Sequence, residues 1–89
     1  MNENKSKEEW SVFIRGISPM IEKDDLKDFL IEFGKITSLL LYERKSCPTQ
    51  KYAIVLFKSK EQAEKCINEI DGKSLLGHRL EADFVFMNH

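Results

Sequence analysis

The chain has 89 residues, is 42% hydrophobic and 33% charged, and carries a formal net charge of −1. That length allows one domain with a single core, and the composition is that of an ordinary soluble globular protein. Two cysteines are too few for a disulfide scaffold, and no run of about 18 apolar residues is present to span a membrane.

Residues 1–9 are polar and lack an apolar stretch, so they read as a disordered lead-in and not as a secretory signal. The first strand is expected over 10–17, where Val12 and Ile14 share one face and Phe13 and Arg15 the other. Ser18-Pro19 closes it, because proline disfavours helix at the residue before it. A helix is expected over 23–33. Leu26, Phe29, Leu30 and Phe33 form one apolar stripe, Asp24 and Asp25 favour the helix dipole in the first turn, and Gly34 follows as a stop.

A second strand is expected over 36–42, then a loop holding Ser46, Cys47, Pro48 and Thr49, then a third strand over 52–57. On the third strand Ala53, Val55 and Phe57 share one face, and Tyr52, Ile54 and Leu56 the other. Ser59-Lys60-Glu61-Gln62 matches a capping box, in which serine and glutamine side chains satisfy each other's orphan amides. The helix it opens carries Ala63, Cys66, Ile67 and Ile70 on one stripe and stops at Asp71-Gly72. Leu75-Leu76-Gly77 makes a connection to a final strand over 79–86, and 87–89 are a short tail.

The order β-α-β-β-α-β places two amphipathic helices on one face of a four-stranded antiparallel sheet, an α+β fold with the opposite sheet face open. If Ile36, Leu39 and Leu41 face the core, Leu40 and Tyr42 face outward. If Leu80 and Ala82 face the core, Glu81 and Asp83 lie on the open face. The candidate site is therefore Phe13, Arg15, Leu40, Tyr42, Tyr52, Ile54 and Leu56, with Glu81 and Asp83 on its rim. An apolar centre with a polar rim is the anatomy of a protein interface. Arg44, Lys45 and Lys51 offer a basic edge that could meet phosphate.

No phosphate-binding glycine loop, placed nucleophile or metal-ligand cluster is visible, so no enzyme, cofactor or metal is expected. His78 and His89 lack zinc spacing, Cys66 reads as core filler, and both thiols read as reduced and intracellular.

The element order and two strand motifs resemble the RNA recognition motif domain, with its ferredoxin-like fold, over residues 10–85 of a domain expected over 10–86. The hexamer Val12-Phe13-Ile14-Arg15-Gly16-Ile17 fits, with Phe13 as its stacking aromatic. In the octamer Gln50 to Phe57, the residues Tyr52, Ala53, Val55 and Phe57 fit the family pattern. Gln50 stands for its basic residue, Lys51 for glycine and Ile54 for its second aromatic. Within that family the chain is similar to the Tsunagi subunit of the exon junction complex. That likeness rests on Trp10-Ser11-Val12-Phe13-Ile14, Lys51-Tyr52-Ala53-Ile54-Val55, Leu75-Leu76-Gly77 and Asp83-Phe84-Val85-Phe86-Met87.

The likeness implies a sheet face occupied by a Mago nashi-like protein as a heterodimer. It also implies a DEAD-box helicase reached through the complex, and mRNA engaged mostly indirectly. The setting it implies is the nucleus with shuttling to the cytoplasm, in splicing, export and nonsense-mediated decay. The alternative is an independent single-stranded RNA binder stacking bases on Phe13 and Tyr52.

Overall fold

The computed structural model describes residues 10–43, 45–46 and 49–85. The expected lead-in, the 87–89 tail, Arg44, Cys47, Pro48 and Phe86 lie outside the described residues. Strand β1 (Trp10–Ile17) is followed by helix α1 (Lys23–Leu30), a 3-10 turn (Ile31–Phe33), β2 (Ile36–Glu43) and β3 (Lys51–Phe57). Then come helix α2 (Lys60–Ile70), β4 (Ser74–Leu75), β5 (His78–Arg79) and β6 (Glu81–Phe84).

The main sheet has four antiparallel strands in the order β2-β3-β1-β6. One core joins Leu26 and Leu30 of α1 and Ala63, Cys66 and Ile70 of α2 to Val12, Ile14, Leu39, Ala53, Val55, Phe57 and Ala82 of the sheet. Both helices therefore pack on the same sheet face, the ferredoxin-like arrangement. Of the two helix stripes, Phe33 is buried, whereas Phe29 and Ile67 pack against the core half-buried.

Several boundaries and one cap differ from expectation. The first helix is α-helical only to Leu30, and the tighter 3-10 turn carries Phe33 on into the core, its ring edge-on to Phe29 at 6.2 Å. The final strand begins at Glu81, because His78 and Arg79 pair with Ser74 and Leu75 in a separate small hairpin. The capping box on α2 is half formed: Ser59 Oγ accepts from the Gln62 amide at 3.1 Å, but Gln62 Oε1 is buried without a partner. At α1, a site the sequence did not flag, Asp25 Oδ2 accepts from the Glu22 amide at 3.1 Å.

Two irregularities set which side chains face out. In β2 the register shifts between Ile36 and Ser38, where Thr37 Oγ1 donates to the Leu56 carbonyl at 3.1 Å. The bulge lets Ile36 and Leu39 both turn toward the helices despite their odd spacing. In β1 the register shifts between Arg15 and Ile17, and Gly16 has φ +82. A Cβ there would meet the Arg79 carbonyl at 2.3 Å, so glycine is required for β1 to pass the β5 segment.

Candidate interaction face of the sheet

Strand parity and register together place the open-face residues in cross-strand rows. One row runs Tyr42, Tyr52, Arg15, Glu81; the next runs Leu40, Ile54, Phe13, Asp83; a third holds Ser38, Leu56 and Ser11. All nine residues read from the sequence as open-face positions fall in these rows. Leu40 and Tyr42 are 43% and 37% exposed, while Phe13, Tyr52, Ile54 and Leu56 are half-buried by one another.

The rings form a continuous run. Tyr42 stacks on Tyr52 with centroids 5.0 Å apart and planes 19° from parallel, and Phe13 leans on Tyr52 at 5.7 Å and 52°. Such pairs hold rings in place beyond their area burial and so preorganise the face. Leu40, Ile54 and Leu56 extend it as aliphatic surface.

Charge on this face is sparse. Within the described strands Arg15 is its one cation, and its Nε donates to Glu81 Oε1 at 2.5 Å. Asp83 stands opposite Phe13, and its Oδ1 accepts from the Phe84 amide at 2.8 Å. Lys45 is exposed in the β2–β3 turn, and Arg44 is outside the described residues.

Lys51 corrects the sequence reading. It is 7% exposed and shares the helix-side face of β3 with Ala53, Val55 and Phe57. Its Nζ donates to the Ile21 carbonyl at 2.8 Å, so it ties the β1–α1 connection to the sheet and does not reach toward phosphate.

Trp10 also lies on the helix side. Its ring meets Phe84 edge-on at 6.0 Å, and Lys60 Nζ sits 5.7 Å from the ring centre. It covers the edge of the core and is not part of the open face. Cys66 is fully buried, and desolvation pushes its thiol from 9.0 up to about 12. That makes it inert, since the thiolate is the reactive form.

Sequence reasoning missed the strand-edge cleft. An open cleft of about 570 Å³ runs beside β6, lined by Phe13, Arg15, Asp71, Arg79, Glu81 and Asp83 among others. Asp71 Oδ1 accepts from the Ala82 amide at 3.0 Å, which satisfies one donor of an otherwise open sheet edge. Asp71 had read only as a helix stop. Among the described residues, no His, Cys, Asp and Glu group is arranged to hold a metal, and no helix is long and apolar enough to cross a membrane.

A four-stranded antiparallel sheet under two helices, with aromatics paired on its open central strands, defines an RNA recognition motif domain. The family model for the RNA recognition motif matches residues 12–81, and the chain belongs to that family.

Among its relatives, an uncharacterized RNA-binding protein of Schizosaccharomyces pombe is 31% identical over 88 residues, covering 98% of this chain and 72% of that protein. RNA-binding protein Y14 of Arabidopsis thaliana is 28% identical over 83 residues; the match covers 92% of this chain but 41% of Y14. Among solved structures, Pes4 RRM3 superposes with a TM-score of 0.79 at 24% identity, covering 89% of this chain and 94% of that one. The likeness to that structure concerns the fold alone.

Proposed function

We propose that this chain is a non-catalytic RNA recognition motif subunit whose open sheet face pairs with a Mago nashi-like protein. The setting is an exon junction complex acting on mRNA in the nucleus and shuttling to the cytoplasm. A DEAD-box helicase and mRNA are engaged through that complex.

The observation that carries this reading is the row Leu40, Ile54, Phe13. It is an apolar centre across three strands, with Glu81 and Asp83 on one side and the one cation of the described open-face rows, Arg15, already paired. Lys51 is withdrawn and Gln50 is uncharged, so the octamer segment presents no cation for a phosphate backbone. The Tsunagi-like segments at Trp10 to Ile14 and at Leu75 to Gly77 support the choice of partner. The RNA-binding relatives support a ribonucleoprotein setting.

A stable heterodimer of this kind buries on the order of 1,200–2,000 Å² in total. Ile54 is the centre of the face, and Ile54→Arg places a guanidinium where a docked partner would exclude water, an unpaired charge that costs several kcal/mol. Because Ile54 points away from the core, the variant should fold, as circular dichroism will report, yet fail to capture the Mago nashi-like protein in a pull-down. Glu64→Ala on the helix side should leave capture intact. Wild-type capture by a folded Ile54→Arg protein would remove the sheet face as the interface.

A second reading is favoured by one observation, the run Phe13–Tyr52–Tyr42. Rings on three strands offer stacking surfaces for successive bases, each worth about 1–3 kcal/mol in single-stranded RNA binders. Tight binding of a single-stranded oligonucleotide by the isolated chain, lost in Tyr52→Ala, would promote it.

A further inference from the structure

We propose that Glu81 biases the ligand class of the open sheet face. By engaging the Arg15 guanidinium through its Nε, it weakens the face's hold on a nucleic-acid backbone and favours an apolar protein surface. The inference rests on the reading that ligands bind this face.

Arg15 and Glu81 are directly opposite in the β1–β6 register although 66 residues apart in sequence. Arg15 sits in one cross-strand row between Tyr52 and Glu81, beside the Phe13–Tyr52 pair. An arginine at the margin of a stacking surface is well suited to grip phosphate, because its planar fork binds two oxygens at once. Here its Nε already meets a carboxylate.

The side chains of the pair are 64% and 52% exposed, so the contact is a surface ion pair of modest strength. Glu81 therefore contributes little to the fold. Its effect is on what Arg15 can meet: a phosphate must displace a carboxylate and then remain beside it. An uncharged partner surface need displace no carboxylate, and excluding water over the pair strengthens the attraction between its members at the cost of their hydration.

Asp83 provides the internal comparison. It lies on the same face and carries the same charge, but stands opposite Phe13, and its Oδ1 accepts from the Phe84 amide. Generic repulsion would make the two acids equivalent, whereas masking of Arg15 makes Glu81 distinct.

The test is fluorescence anisotropy of a short labelled oligouridylate over a series of salt concentrations. Glu81→Gln should tighten binding about threefold to fivefold, the scale of an exposed ion pair. It should also steepen the dependence of log K on log salt by about 0.7, one phosphate contact on a single strand. Arg15→Gln/Glu81→Gln should lose both gains, and Asp83→Asn should leave the slope unchanged. Equal gains from Glu81→Gln and Asp83→Asn, a gain that survives loss of Arg15, or no gain at all would overturn the proposal.

Phe13→Ala added to Glu81→Gln should abolish the acquired binding. If it does not, the oligonucleotide is bound elsewhere and the proposal also falls. Pull-down of the Mago nashi-like protein with the same variants decides the docking reading independently.

Discussion

Lys51 and Cys66 lie within the same core and make opposite uses of burial. Lys51 threads an aliphatic stem along the helix-side face of β3 and delivers its ammonium to the Ile21 carbonyl. Its position was readable from strand parity, since 51, 53, 55 and 57 share a face. Starting the third strand at Tyr52 left Lys51 outside it and hid that signal. Cys66 has no polar partner to gain, and desolvation alone raises its thiol from 9.0 to about 12. The folded chain therefore keeps this proton to higher pH than the unfolded chain does. Below the unfolded value the associated stability is fully present. Between 9.0 and about 12 the unfolded state binds fewer protons, so stability falls as pH rises, by up to about 1.4 kcal/mol per pH unit. Urea unfolding across this range should show the wild type losing more stability than Cys66→Ala, which lacks the group. Parallel losses in the two proteins would mean that burial does not hold the thiol protonated.

At the scale of elements, periodicity carried most of the information and short elements carried almost none. Strict alternation located β1 and β3 and the side chains on each of their faces, and the i, i+3, i+4, i+7 stripes located both helices. The β4–β5 hairpin escaped because two-residue strands are too short to show alternation, and Arg79 consequently read as the start of the last strand. Its turn is unusual. Leu75 pairs with His78, and the two loop residues Leu76 and Gly77 have φ of 53° and 80°. A two-residue turn with both φ positive suits asparagine and glycine, whereas a leucine in the left-handed region costs about 1–2 kcal/mol. Leu76 is 65% exposed, so burial offsets little of that strain. Leu76→Asn should therefore stabilise the chain by about 0.5–1 kcal/mol, raising Tm by roughly 2–8 °C in a domain of this size. A lower Tm would instead assign Leu76 a packing role in the folded chain. The site divides along the same line. Parity put Phe13, Arg15, Tyr52, Ile54 and Leu56 on shared faces of their own strands. The meeting of Arg15 with Glu81, by contrast, depends on β6 lying beside β1, a long-range pairing that no local pattern encodes.

For the whole molecule, the decisive property is how a near-neutral total charge is distributed over an asymmetric fold. The helices cover one sheet face, and the other is left with aromatic and aliphatic surface, two carboxylates and one paired arginine. Sequence-independent affinity for nucleic acid comes from phosphate neutralisation, and each contact made is visible as salt dependence. With a net charge of −1, Lys51 internal and Arg15 engaged by Glu81, the open sheet face has little to supply that term. Stacking on Phe13, Tyr52 and Tyr42 remains available, but a strand threaded over these rings must also pass Glu81 and Asp83. The isolated wild-type chain should therefore bind short single-stranded RNA with a Kd of roughly 10⁻⁵ M or weaker near physiological salt. Its log K should vary with log salt by a slope no steeper than about −1, little more than one phosphate contact. Titration of a labelled oligonucleotide pool at several salt concentrations measures both quantities. Submicromolar, sequence-selective binding would mean that the stacked rings outweigh the acidic rim, and would make the sheet a nucleic-acid surface in its own right.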